Sequence, residues 1–236
     1  MCQDCGCGDP ELVPVEVQAR LLESNDRTAR HNREHFEEQG VLALNVMGSP
    51  GSGKTALLEA TARLSQGRLR LGAVSGDLET DNDARRLERA GIQARAITTG
   101  TACHLDAELV HRALHGFPVG ALDVFFIENV GNLVCPAIYD LGQAANVVTL
   151  AVTEGEDKPL KYPAMFRAAD LVVLTKIDLL PYIDEKVEKI EDALSRVMPV
   201  PRVLRVSARS GTGVERWLKW LEQRLAPRPA VAGARS

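Results

Sequence analysis

The sequence predicts an α/β fold with a mainly parallel sheet covered by helices on both faces. Three observations carry that expectation. After Gly40, short apolar runs alternate with helix-length polar-apolar segments; the first run ends on Gly48-Ser49-Pro50-Gly51-Ser52-Gly53-Lys54-Thr55; and Cys2, Cys5 and Cys7 crowd the start of the chain. Strands that alternate with helices pair in parallel through crossovers, which cover both faces of the sheet. The octapeptide matches GxxxxGK[ST] between a strand and a helix, narrowing the class to a P-loop NTPase, here with an N-terminal metal-binding extension.

Composition sets the bounds. The 236 residues are 45% hydrophobic and 25% charged, which suits one α/β domain with a modest extension. The formal net charge of -4, with both signs interspersed, leaves no basic stripe to neutralise a phosphate backbone, so no nucleic-acid partner is expected. Met1-Cys2-Gln3-Asp4 opens neither the basic start nor the apolar run of a secretory signal, and no later segment is apolar enough to span a bilayer. The expectation is a cytoplasmic protein without a membrane partner, in a compartment that keeps thiols reduced. Its five cysteines then read as metal ligands or reactive thiols before disulfides.

Taken in order, residues 1–10 are mostly Cys, Gly and Asp, too poor in apolar periodicity to join a core, and are expected to form a flexible metal-binding tip. Residues 11–40 form a helical segment: the pattern from Val15 to Glu38 sets Val17, Leu21, Leu22 and Phe36 among charges, and Gly40 stops it. Residues 41–225 form the nucleotide-binding domain. Its strands are expected at Val41–Met47, Leu69–Val74, Ala94–Thr98, Val124–Ile127, Val147–Val152, Leu171–Leu174 and Val203–Val206. A last helix from Val214 to Leu225 turns Trp217, Leu218 and Leu221 to the core, and residues 226–236, rich in Pro, Ala, Gly and Arg, read as a disordered tail.

The nucleotide chemistry starts at the octapeptide. Gly48, Gly51 and Gly53 let backbone N–H groups, with that of Ser52, converge on phosphate oxygens; Lys54 bridges the β and γ phosphates, and Thr55 ligates Mg²⁺. Thr175-Lys176-Ile177-Asp178, straight after a strand, resembles the NKxD guanine element of P-loop GTPases with Thr for Asn. A carboxylate at Asp178 can accept from the N1–H and N2 amine of guanine, whereas adenine offers no proton at N1, and the Lys176 stem can lie along the base. Ser207-Ala208-Arg209 resembles the SAK element, whose Ala N–H meets guanine O6. Asp77, ending a strand, is assigned to Mg²⁺. Glu128-Asn129-Val130-Gly131-Asn132 resembles DxxG with Glu for Asp; Gly131 would offer its N–H to the γ-phosphate, and Glu128 would act through water or orient the nucleophile. Neither a catalytic Gln nor a cis arginine finger stands out, so slow intrinsic hydrolysis is expected.

Metal chemistry occupies two places. Cys2-x-x-Cys5-Gly6-Cys7 lacks the fourth side-chain ligand of a structural zinc finger. A terminal amine or backbone amide beside the thiolates could complete a square plane, which suits Ni²⁺; a zinc knuckle or redox cluster is the competing reading. The second set is Cys103-His104, at the expected start of a helix from Leu105 to His115, with Cys135 in the loop after Glu128. His31, His35, His111 and His115 recur at spacings of four on helical segments and read as surface histidines, each pair a weak metal binder.

These residues together resemble the hydrogenase nickel-incorporation GTPases, the HypB family. The likeness runs from the CxxCGC at Cys2, Cys5 and Cys7 through the P-loop, Cys103-His104, the Glu128 to Asn132 run and Cys135 to Thr153-Glu154-Gly155-Glu156-Asp157-Lys158-Pro159-Leu160-Lys161-Tyr162-Pro163. It implies a GTPase that uses GTP/GDP with Mg²⁺, binds Ni²⁺ or Zn²⁺, forms a homodimer favoured by GTP, works with a small zinc-containing HypA-type nickel chaperone, and delivers nickel to the large-subunit precursor of nickel-iron hydrogenase. No histidine-rich stretch follows the CxxCGC, so bulk nickel storage is not expected. A urease-type nickel accessory GTPase and a metal-sensing nucleotide binder without significant turnover are the alternative readings.

Overall fold

A computed structural model describes residues 15–184 and 186–225, the side chains of 15–19 excepted. The cysteines expected to form the metal-binding tip, Cys2, Cys5 and Cys7, and the tail at 226–236 lie outside the described residues. Seven strands, β1 Leu42–Met47, β2 Leu71–Asp77, β3 Gln93–Thr98, β4 Val124–Glu128, β5 Ala145–Ala151, β6 Leu171–Thr175 and β7 Val203–Arg205, form one sheet in the order β3-β2-β4-β1-β5-β6-β7. Every pairing is parallel, so all the strands' carboxyl ends share one edge. The helices are α1 Val15–Glu38, α2 Lys54–Ser65, α3 Asn82–Arg89, α4 Ala107–Leu114, α5 Lys158–Lys161, α6 Pro163–Arg167, α7 Val187–Val197 and α8 Val214–Glu222. Among the described residues no helix is long and apolar enough to cross a membrane.

The central strands are where the apolar runs place them because a strand buried on both faces needs a continuous apolar run rather than alternation, while β2, expected at Leu69–Val74, is corrected to Leu71–Asp77. All six residues of β1 and all five of β4 are buried. Register then does chemical work: β4 lies between β1 and β2, pairing Glu128 with Val46 on one side and Ser75 on the other. The last strand residue of β4 therefore comes beside the start of the P-loop. In open α/β sheets ligands bind in the crevice outside the carboxyl ends of the strands, and the P-loop leaves β1 at that edge.

One face is covered by α2 and α8. Trp217 and Leu218 of α8 are fully buried, and Trp217 Nε1 donates to Thr61 Oγ1 of α2 at 2.8 Å. On the other face, Phe36 of α1 joins Val110 and Leu114 of α4 and Phe125 of β4. α1 is also fastened by polar anchors. Buried Asn25 accepts from the Ala107 N–H at 2.9 Å and donates to the Asp140 carbonyl at 2.8 Å. Fully buried Asn32 donates to the Ala107 and Leu141 carbonyls, and Arg33 forms a forked pair with Asp140. The helix expected merely to lie on the domain is thus pinned by groups that leave amide partners orphaned if removed.

The expected start of α4 at Leu105 is corrected to Ala107. Asp106 caps the helix, its Oδ1 accepting from Leu109 N at 2.8 Å, so the first turn is addressed by a carboxylate and not by Cys103. The last helix ends at Glu222, short of the expected Leu225.

Replacing Trp217 by alanine removes the largest buried side chain joining α2, α8 and the sheet. The expected loss is about 3 to 5 kcal/mol of folding free energy, read as a lower denaturant midpoint.

Candidate nucleotide site and metal centre

The P-loop is a left-handed turn by necessity. Gly51 and Gly53 have φ of 73° and 95°, and a Cβ on Gly48 would stand 2.5 Å from the Thr149 carbonyl oxygen. Three neighbouring segments hold it. Ser49 Oγ bonds the Glu154 carboxylate, whose other oxygen accepts from Ala151 N at 2.8 Å. Ser52 Oγ reaches Thr149 Oγ1 at 2.7 Å. Thr175 Oγ1 donates to the Ser52 carbonyl at 2.5 Å, tying the Thr175–Asp178 segment to the loop.

Lys54 Nζ donates to the Gly48 and Ser49 carbonyls, each at 3.2 Å, inside the loop's curve. Burial pushes its ammonium below the ordinary value, and the Glu128, Asp83 and Glu154 carboxylates pull it back. Thr55 Oγ1 donates to Glu128 Oε1 at 2.6 Å, while Ser75 Oγ donates to Glu128 Oε2 at 3.1 Å. With only 2% of its surface exposed, Glu128 has its carboxyl raised above the usual range by burial, an effect opposed by the Thr55 bond.

Asp77 lines the same cavity, of about 510 Å³, as Lys54, Thr55 and Glu128. Its Oδ1, however, accepts from the Glu79 and Thr80 N–H groups and the Thr80 hydroxyl, which hold the carboxyl below its usual range, the Thr80 N–H foremost. The structure brings Glu128 into direct contact with Thr55 and turns this oxygen of Asp77 to its own loop.

The expected base-binding residues meet in an adjoining cavity of about 260 Å³, lined by Gly53, Lys176, Asp178 and Ala208 among others. Ser207, fully buried, donates its hydroxyl to Asp178 Oδ1 at 2.6 Å and so aims that carboxylate. Lys176 sits in the left-handed region at φ 59°.

Gly131 closes on the P-loop from the opposite side. A Cβ there would come 2.9 Å from the backbone nitrogen of Pro50, and Asn132 forms a backbone bridge with Gly48. The same segment continues into the thiols. Asn132 Nδ2 donates to the Cys103 carbonyl at 3.3 Å, and Asn129 Oδ1 accepts from Leu105 N at 3.0 Å. Cys103 Sγ lies 3.1 Å from Cys135 Sγ and 3.9 Å from His104 Nδ1, and the three donor atoms fall within 4.8 Å of one another. Both thiols are free and half-buried. His104 stacks on Tyr139 at 4.0 Å between ring centroids, and burial lowers its pKa, keeping the imidazole neutral. The Cys103 hydrogen bond, ahead of burial, raises the Cys135 thiol. Two sulfurs and an imidazole suit a borderline or soft cation.

Sequence reasoning passed over several residues. Glu154 was visible only as part of a longer run, and its brace on Ser49 needs the turn after β5 to approach the P-loop. Ser75 carried no signal beyond its place at the end of the second strand, and it proves to be a buried donor to Glu128. Asp83 and Arg86 line the P-loop cavity from α3, where charges on an exposed helix carried no special signal. Arg86 is engaged by Glu59 and Asp83.

Residues 42–205 match the family described as CobW/HypB/UreG, nucleotide-binding domain. The hydrogenase maturation factor HypB of Rhizobium leguminosarum bv. viciae is 50% identical over 214 residues, covering 91% of this chain and 72% of the relative. The crystal structure of the Archaeoglobus fulgidus hydrogenase maturation factor HypB superposes with a TM-score of 0.80 at 40% identity, over 87% of this chain and 100% of that one. HypB from Helicobacter pylori in complex with nickel gives 0.79 at 36% identity, over 88% and 99%. With its parallel sheet, its P-loop and a match across nine-tenths of its length, the chain belongs to the CobW/HypB/UreG nucleotide-binding family and, within it, to the HypB hydrogenase maturation factors.

Proposed function

We propose that this chain is a cytoplasmic GTP-hydrolysing nickel metallochaperone that assists insertion of nickel into the large subunit of nickel-iron hydrogenase. One observation carries the reading. The segment from Glu128 to Cys135 touches the P-loop through Gly131 and Asn132 and carries a thiol of the Cys103, His104 and Cys135 cluster. Nucleotide and metal cargo thus share one short stretch of backbone. The nickel complex of the Helicobacter pylori relative supports nickel as the cargo.

In this reading the P-loop N–H groups and Lys54 cradle the phosphates, Asp178, aimed by Ser207, selects guanine, and the Ala208 N–H meets its O6. Thr55 and Glu128 would hold Mg²⁺, with Asp77 at the rim of the same cavity; their oxygen donors fit a hard cation. Mg²⁺ there would neutralise charge on the phosphates. Gly131 offers its N–H to the γ-phosphate, and because Asn132 also holds the Cys103 backbone, that contact repositions Cys135 relative to Cys103 and His104. Three ligands leave a four-coordinate ion one donor short, and a GTP-favoured homodimer would supply it across a two-fold axis. Cys2, Cys5 and Cys7 add a thiolate site for Ni²⁺, and Zn²⁺ competes for the central one. The HypA-type chaperone and the hydrogenase large-subunit precursor are the partners on either side of the transfer.

Asp178→Asn should weaken GTP binding at least about 100-fold and favour xanthosine nucleotides. Each lost bond to the charged acceptor is worth about 1.5 to 3 kcal/mol. Unchanged GTP affinity in that variant removes the guanine assignment.

Glu128→Gln should lower the rate of GTP hydrolysis, read as phosphate release, about 100-fold or more, because the carboxylate beside Thr55 lies in the cavity that would hold the phosphates. It should also change stability. A carboxyl raised in the folded state binds a proton more readily there than in the unfolded chain, so folding stability falls as pH rises from about 4.3 through the folded value. The amide removes that dependence and should raise the thermal midpoint near neutral pH.

Coupling is tested by comparing GDP with a non-hydrolysable GTP analogue. Metal affinity of the Cys103, His104 and Cys135 site, and dimerisation by sedimentation, should differ by about 5- to 150-fold between the two nucleotides. Equal values in both would disconnect the nucleotide from this metal.

A further inference from the structure

Four of the chain's five histidines converge on one cavity between α1 and α4. His31 and His35 lie a turn apart on α1, and His111 and His115 a turn apart at the carboxyl end of α4. Packing of α1 on α4 brings the pairs together. The His31 and His111 ring centroids are 5.1 Å apart and those of His111 and His115 4.8 Å, and all four rings line a cavity of about 340 Å³.

We propose that His31, His111 and His115 form a binding site for a divalent late transition-metal ion, with His35 at its edge. The spacing fits. Imidazole nitrogens bind such ions at about 2.0 to 2.1 Å, which sets two bound ring centroids about 4.5 to 5.2 Å apart for angles between a square plane and a tetrahedron. Both observed separations fall in that interval.

The tautomer of the central ring is set for ligation. Asn32 is fully buried, and its amide nitrogen is committed to the Ala107 carbonyl at 2.9 Å and the Leu141 carbonyl at 3.2 Å. The Asn32 oxygen, 3.1 Å from His111 Nδ1, is therefore an acceptor, so Nδ1 carries the proton and Nε2 keeps the lone pair. A metal-bound histidine commonly has its other ring nitrogen donating to a protein oxygen in this way. Burial first, then the neighbouring His115, His31 and His35, hold His111 below its ordinary pKa, which keeps it unprotonated near neutral pH. The carboxyl end of α4 adds partial negative charge that favours a cation. His31 and His115 are exposed, so an ion can enter from solvent.

The full-length chain is titrated with Zn²⁺, and separately with Ni²⁺, by calorimetry, while imidazole C–H resonances are followed by NMR in the Zn²⁺ arm. The expected result is one metal equivalent whose binding shifts the resonances of His31, His111 and His115 together. His31→Asn and His115→Asn should each weaken that equivalent at least 10-fold, with the thermal midpoint unchanged and the thiolate charge-transfer absorption of Ni²⁺ at the cysteines preserved. Resonances of His31, His111 and His115 that stay put in excess Zn²⁺, or an equal affinity in both variants, would overturn the site.

Discussion

The contact on which the rest depends is the close approach of Gly131 to Pro50, where no side chain could be interposed. A glycine at that position lets the loop after β4 lie directly on the P-loop, and the backbone bridge from Asn132 to Gly48 fixes the approach. Everything downstream follows from the short distance that remains. Asn132 reaches the Cys103 carbonyl, and Cys135 arrives beside Cys103. Upstream, the register of β4 between β1 and β2 delivers Glu128 to Thr55 and Ser75. A parallel sheet makes such convergence economical, because the ends of β1, β2, β4 and β6 open on the same edge.

The two polar asparagines of α1 show a second constraint. Asn25 and Asn32 are buried, yet every hydrogen-bonding group identified on them finds a partner, on α4 or in the segment before β5. Satisfied polar groups of this kind fix orientation more sharply than apolar packing does, since a small rotation would strand a carbonyl. α1 is thereby locked in rotation against α4, and the histidines it carries are held at a defined spacing from those of α4.

Much of the architecture was legible because it is written locally. Continuous apolar runs announced the central strands β1, β4, β5 and β6, the partly buried β3 and β7 were marked by shorter ones, and Val15–Glu38 matched α1 end to end. The P-loop was legible as a string. Other features depend on register or on distant packing. The bond between Thr55 and Glu128 joins residues 73 apart in sequence, and nothing near Glu128 signals that its carboxylate is buried against that hydroxyl. Asp77 looked the better cation ligand from its place at a strand end, but its own turn supplies donors that occupy one oxygen. α4 begins two residues late because Asp106 caps it, its carboxylate accepting from the first turn. The histidines displayed their spacing of four openly; their meeting across two helices, and the asparagine beneath them, could be learned only from the packing.

The stretch between Gly131 and Cys135 also behaves as a ruler. Both of its ends are anchored, one on the P-loop and the other beside a second thiol, so its contour length is as much a part of the design as its chemistry. Most surface loops tolerate inserted residues because slack is absorbed by solvent. Here slack would be absorbed between the two anchors. A chain with an added residue could retain every P-loop group and every sulfur, yet the two anchored contacts could no longer both be kept at their present separation. In this region the count of residues carries information that their identities do not.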